Sequence, residues 1–393
     1  MRRRIRKFRV PLPASLLLAA MLTGILACGP PQPLLVGALI PESGAASSYG
    51  RSIRRGMELA LEEINANGGV LGGRELTIEF HDTGTDPVTA EIAAREMMDR
   101  GIQIVIGAGA SPVSLHLVPL FNKRNVLLVS PSSSSPRLTK EGGDWFFRIY
   151  PSDVGEAFRM ATFCRENVIS RVAVVSVMDS FGEGAADEFV KKYEASTRDV
   201  VYRKDFEGSL TDESAQRIVA EMKKSNPEAV YIAAYVDDTA TLLRAIDRAR
   251  LKVARLGTSA ITKELVEMAG SAADGIVFPT PSFDPTTSKD PTLKAFVEAY
   301  RNKFGEDPDL FSLKGHEVTN VVAQAIDVAR LPNSKNIRDA LLTSEFRVVS
   351  GTIQFNLSGD VTQPLKIYAI NNGQIVDYDT YREAMVSKSI LAR

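Results

Sequence analysis

Short apolar runs and segments of helical period alternate along almost the whole chain. Leu34–Ile40 is a continuous apolar run, the pattern of a strand buried on both faces. After a glycine- and serine-rich loop from Glu42 to Gly50, Ile53, Met57, Leu61 and Ile64 recur at helical spacing, and Asn67-Gly68-Gly69 stops that helix. Glu75–Phe80 reads as a strand. Asp86 then caps a helix with Pro87 at its first position, running to Arg100 and ended by Gly101. Ile102–Ile106 is a further buried strand, Ser111-Pro112 caps the next helix, and Val126–Val129 is a strand again. Alternation of this kind predicts parallel strands joined by right-handed helical crossovers.

The pattern restarts near residue 171. Arg171–Val177, Val200–Phe206, Ala229–Tyr235 and Ala254–Gly257 read as strands, with helices near 181–195, 212–225 and 239–250. The halves repeat in architecture, not residue by residue. The tail differs: Thr352–Asn356 and Lys366–Tyr378 read as strands, and Asn372-Gly373 in the second is a tight hairpin signal. The predicted fold class is α/β, with two doubly wound, Rossmann-like lobes.

The amino terminus carries a different message. Arg2, Arg3, Arg4, Arg6, Lys7 and Arg9 precede an apolar stretch from Leu16 to Ala27. That stretch is too short to span a bilayer but suits the core of a signal peptide. It ends in Leu26-Ala27-Cys28, which resembles a lipobox whose cysteine is acylated, and residues 28–33 form a proline-rich tether. A lipid-anchored protein outside a bacterial cytoplasm is expected. The net charge is −1 for the whole chain and about −7 without residues 1–27, which excludes an electrostatic grip on nucleic acid. Cys164 is then the one remaining thiol, so stability rests on core packing rather than a disulfide. The remaining chain of about 360 residues suffices for two domains.

Catalytic patterns are absent from the sequence. Gly107-Ala108-Gly109 follows a strand, but Pro112 replaces the third glycine of a dinucleotide fingerprint. The next strand ends in Ser130-Pro131 rather than an acidic residue. His81, His116 and His316 lack metal-ligand spacing, and His316 reads as a helix-start residue. No serine elbow and no cysteine beside a base is present. Neither an enzyme, a metal nor a cofactor is predicted. What remains are hydroxyl-rich loops after strands: Glu42–Tyr49, Gly107–Ser114 and Ser130–Pro136. A serine run by itself reads as a flexible surface loop. Placed directly after buried strands it can instead gather, with helix-start amides, into a site for a carboxylate.

Several segments, in order and spacing, resemble the type I periplasmic binding proteins of the leucine/isoleucine/valine-binding group. They are Ser48-Tyr49-Gly50, Glu63–Gly69, Val105-Ile106-Gly107, Ser130-Pro131, Phe147-Arg148, Phe181–Gly184 and Asp247–Arg250. The resemblance spans most of residues 34–380 and implies two lobes joined by crossings near Tyr150–Asp153, Pro279–Ser282 and Val348–Gly351. The first lobe would comprise residues 34–151 and 281–349, and the second residues 152–280 and 350–393, the latter including the tail. The helices at 291–304 and 315–330 would return to the first lobe. It further implies a ligand carboxylate at Ser111, contacts at Ser132 and Ser134, and aromatic cleft walls at Tyr49, Phe181 and Tyr235.

One position departs from the family pattern. Ser259 stands where amino-acid binders carry an acidic residue for the ligand's ammonium group, and Phe181 lacks the usual tyrosine hydroxyl. A buried ammonium without a counter-charge is costly. The residues therefore favour a ligand with an acceptor group and a modest apolar body over a zwitterion, unless Glu42 or Asp179 supplies the charge. The expected function is capture of a small polar solute, amino-acid-like, carboxylate or amide, for the membrane permease of an ABC importer. The alternative is a ligand-sensing subunit of a signalling system.

Overall fold

The computed structural model describes residues 32–195, 198–285 and 288–391, with side chains to residue 385. The basic segment, its apolar core and Cys28 lie outside the described residues. Two large sheets organise the rest. The first contains β1 (Leu34–Ile40), β2 (Leu76–Asp82), β3 (Ile104–Gly107), β4 (Leu127–Ser130) and β5 (Phe146–Arg148). The order is β2-β1-β3-β4-β5, parallel throughout. The second contains β6 (Arg171–Val177), β7 (Asp199–Phe206), β8 (Ala229–Ala233), β9 (Ala254–Gly257) and β10 (Ile276–Pro281). Their order is β7-β6-β8-β9-β10, the same winding as the first sheet. After the short hairpin β11 (Phe346–Val348) and β12 (Gly351–Ile353), the chain adds β13 (Leu365–Asn371) antiparallel to β10. A final strand, β14 (Gln374–Asp377), then forms the sheet edge. Asn372-Gly373 makes the turn between the last two, both at positive φ.

Local chemistry explains most element ends. The Asp86 carboxylate accepts from the Thr89 amide at 2.7 Å, with Pro87 opening helix 87–99. Asp309 and Ser312 form a reciprocal cap that starts helix 310–329 earlier than apolar periodicity suggests. His316 therefore lies inside this helix rather than at its start, and contacts Glu63 at 2.8 Å. Helix 111–124 has no side-chain cap; Ser111 is its first residue, and its hydroxyl is engaged elsewhere.

Helices 291–304 and 310–329 pack on the first lobe. A Cβ on Gly56 would sit 1.8 Å from the Ser312 carbonyl, and one on Gly315 would sit 2.0 Å from the Ile53 carbonyl. Helices 47–66 and 310–329 thus touch backbone to backbone, and only glycine fits at those two positions. Val348–Gly351, expected as the third crossing, is instead the turn of the β11–β12 hairpin. Phe346 and Phe147 flank Phe355, at 6.2 and 5.3 Å between ring centroids, which keeps this segment with the first lobe. The third crossing lies instead between Val361 and Leu365, where Lys314 Nζ donates to Gln363 at 3.1 Å. Glu317, paired with Lys314, accepts the Ser350 amide of the hairpin turn at 2.7 Å.

Candidate ligand-binding site

In both sheets strand order reverses beside the first-wound strand, between β1 and β3 and between β6 and β8. The loops leaving the carboxyl ends of strands open a crevice at such a point. These two switch points face each other. Between them lies a nearly closed cavity of about 30 Å³ lined by Tyr49, Gly109, Ala110, Ser111, Ser132, Ser134, Tyr150, Phe181, Tyr235, Ser259, Ala260 and Phe311. That is far below the roughly 300–1,000 Å³ typical of small-molecule sites, so the lobes must part to admit a ligand. All seven residues singled out from sequence line it, and none is more than 9% exposed. Tyr150 and Phe311 were not foreseen. A larger open depression of about 820 Å³ sits at the amino ends of β9 and β10, the opposite end from the switch point.

The first-lobe half is built on serines held by backbone. Ser111 Oγ accepts the amides of Ser134 and Ser135, both at 3.1 Å. With its lone pairs engaged, its own proton is left to donate into the cavity. At the start of helix 111–124, Pro112 has no N–H, which leaves the amides of Ser111 and Val113 without an intrahelical partner. Ser132 Oγ donates to the Gly109 carbonyl at 2.7 Å, so toward a ligand it is an acceptor. Behind the loop, the fully buried Arg148 donates to the Ser135 carbonyl at 2.9 Å and to Asp360 at 2.6 Å. It also reaches Thr139 at 2.8 Å and Ser133 O at 3.3 Å.

The second-lobe half places neutral groups in front of buried carboxylates. The Tyr235 hydroxyl donates to Asp179 at 2.9 Å, and Asp179 also accepts the amides of Phe181 and Gly182 at 2.8 and 2.9 Å. Burial raises the Asp179 carboxyl above its usual range. Ser259 is gripped by Glu156, which takes both its hydroxyl proton and its amide, the latter at 3.1 Å. Glu156 lies on helix 153–166 and is 1% exposed. Burial, then repulsion from Asp153, pushes its carboxyl up. Burial likewise raises Asp153. Glu42, by contrast, is tied to Arg54 at 2.5 Å and does not line the cavity. The acid that stands against Ser259 is therefore neither Glu42 nor Asp179 but Glu156. No sequence signal marks Glu156, because its register against Ser259 depends on a pairing 103 residues apart.

Aromatic rings close the remaining walls. Tyr49 stacks on Phe311 at 4.5 Å and meets Tyr235 across the cleft at 6.2 Å; Phe181 lies 5.3 Å from Tyr235. The hydroxyls of Tyr49 and Tyr150 are buried without a well-formed hydrogen bond; that of Tyr150 lies beside Ser259 and Thr280, and that of Tyr49 beside the Val236 backbone. Burial raises both phenols, so they remain neutral hydroxyls at physiological pH.

A family model described as periplasmic binding protein matches residues 33–374. The chain belongs to the periplasmic binding protein family. Membership makes it a solute-binding protein rather than an enzyme, working outside the cytoplasm. A relative in Pseudomonas aeruginosa, the leucine-, isoleucine-, valine-, threonine- and alanine-binding protein, is 26% identical over 324 residues. That match covers 82% of this chain and 85% of the relative. The structure of a leucine-binding protein, LivK, from Thermotoga maritima superposes with a TM-score of 0.80. It is 26% identical, with 88% of this chain and 97% of that one covered. The branched-chain amino acid transporter substrate-binding protein LivJ of Streptococcus pneumoniae, in complex with isoleucine, has a TM-score of 0.79 at 24% identity. The covered shares are 87% and 97%, and at that identity the likeness speaks for the fold of this binding protein.

Proposed function

We propose that this binding protein captures a small amino acid in its interlobe cavity and presents it to the permease of an ABC importer. It would do so while held at the outer face of a membrane by acylated Cys28. The observation that carries this reading is the polarity of the cavity. At the Ser111 end a hydroxyl proton and helix-start amides converge, a place for a carboxylate. Ser132, Ser259 and the Tyr235 hydroxyl present oxygens whose protons are already given away, a place for N–H donors. Tyr49, Phe181, Tyr150 and Phe311 supply apolar walls that would enclose a modest apolar side chain once the lobes have parted to admit it. Ser134, whose amide goes to Ser111, offers its hydroxyl to either end. The names of the relatives point the same way. The three crossings, near Tyr150–Asp153, at the end of β10 and at 362–364, would serve as the hinge on which the lobes close.

The test is a thermal-shift and calorimetric comparison of L-leucine, L-threonine and L-alanine with their deaminated acids. At a hundred times its dissociation constant a ligand stabilises by about 2.7 kcal/mol, a readable melting shift. Shifts confined to the amino acids support the reading. Shifts confined to the deaminated acids, or to benzoate, overturn it in favour of a carboxylate receptor. Incorporation of labelled fatty acid into the wild type and not into Cys28→Ala checks the anchor.

A further inference from the structure

We propose that Glu156 is a positioning residue that selects the nitrogen end of the ligand through Ser259, and that it releases a proton when an ammonium group enters the cleft. This rests on the amino-acid reading above and adds to it the source of the counter-charge.

The geometry is that of a charge set one residue back from the cavity wall. Ser259 gives both its hydroxyl proton and its amide to Glu156, so the lone pairs of Ser259 Oγ are what face the cavity. A hydroxyl whose proton is committed to a carboxylate is a stronger acceptor than a free one, because hydrogen bonds in a chain polarise each other. The ligand nitrogen would then be met by a neutral oxygen carrying part of the charge of Glu156.

The surroundings leave that charge uncompensated. No cationic group acts on Glu156 among the described residues. The titratable groups that face it are Asp153, one turn earlier on the same helix; Tyr150, on the crossing that precedes it; and Tyr231, on β8. None of them supplies positive charge. Arg148 acts on Asp153, not on Glu156, and is already held by Asp360. Both carboxylate oxygens of Asp153 are buried without a hydrogen-bond partner, although the residue packs beside Ser134. Two carboxyls one helical turn apart in an apolar setting cannot both hold a charge cheaply. In the ligand-free protein the pair therefore retains a proton.

An entering ammonium changes that balance. Its positive charge favours the carboxylate form of Glu156, whose proton then leaves to the solvent buffer. The ligand keeps its own three N–H bonds, and one O–H bond of Glu156 is exchanged for one on the buffer base. A deaminated acid brings no positive charge and triggers no release. The sign follows: amino-acid affinity should rise with pH and level off above about pH 8, as deprotonation of Glu156 ceases to cost binding energy, while deaminated acids show no such rise.

The experiment is calorimetry of the full chain with L-leucine, L-threonine and L-alanine, and with each deaminated acid, in phosphate and in Tris. These two buffers differ in ionisation enthalpy. The wild type should show a buffer-dependent enthalpy, meaning proton release, with an amino acid only. Glu156→Gln, isosteric and checked by its melting curve, should abolish that release. It should weaken amino-acid binding roughly ten- to a hundredfold, the scale of a charge-assisted hydrogen bond. The deaminated acid should bind the variant as well as the wild type, or better. Amino-acid binding by the wild type without proton release, or a variant that keeps its preference for the amino acid, overturns the role of Glu156 alone. Binding of deaminated acids in place of amino acids, or of neither, overturns the amino-acid reading and this inference with it.

Discussion

The two halves of the cavity solve the same problem with different materials. In the first lobe the two serines that open the site are backed by main chain: Ser111 by two amides, Ser132 by a carbonyl. In the second lobe each is backed by an acid: Tyr235 by Asp179, Ser259 by Glu156. Main-chain dipoles are fixed by the fold and do not titrate. Buried acids can be exchanged one at a time, and they respond to the charge of what they meet. The first half thus suits a group common to every ligand, and the second suits the choice among ligands.

Arg148→Met should do the most to break the contrast, because Arg148 holds the serine loop from behind. It leaves Asp360 buried and unpaired, a loss of about 3–5 kcal/mol. We expect a large fall in melting temperature together with lost binding of amino acids and deaminated acids alike. Ser111→Ala comes next. It removes a ligand contact and the acceptor of two buried amides, which at about 1–3 kcal/mol weakens any carboxylate ligand about five- to a hundredfold. Titration calorimetry should show the same factor for leucine and its deaminated acid. An effect restricted to the amino acid would mean that the halves are assigned the wrong way round. The smallest effect is expected at Arg51→Ala, which breaks the Arg51–Glu264 bridge between the lobes, 3.2 Å long and half exposed on the arginine side. Screening limits it to about 0.2–1 kcal/mol, so affinity should fall by less than about fivefold, and the difference should vanish in molar salt.

How far the site could be read from sequence follows the same division. The first-lobe loops are legible because each serine directly follows a buried strand, and an apolar run such as Val126–Val129 announces itself. Tyr49, Phe181 and Tyr235 are legible through their glycine-flanked or strand-end settings and the family resemblance. Glu156 is not: a glutamate in the first turn of a helix is ordinarily solvated, and only the tertiary fold buries it. Phe311 escapes because its partner Tyr49 lies on a helix more than two hundred residues away. The third crossing is misplaced for a related reason. Val348–Gly351 has the local look of a linker, and its attachment to the first lobe runs through Phe355 and Asp360, which carry no local pattern.

The contact between Arg148 and Asp360 also bears on the order in which the molecule can be finished. A ribosome delivers the strands of the first sheet early, yet the first lobe lacks helix 310–329 and the counter-ion of its serine loop until residue 360 has emerged. The second sheet waits still longer, for β13 on its flank. Neither lobe can be completed while the other is unmade, although domains of many chains fold one after another during synthesis. The chain is therefore committed to remaining open until nearly all of it has been made, and any product cut before residue 360 has no finished half to fall back on.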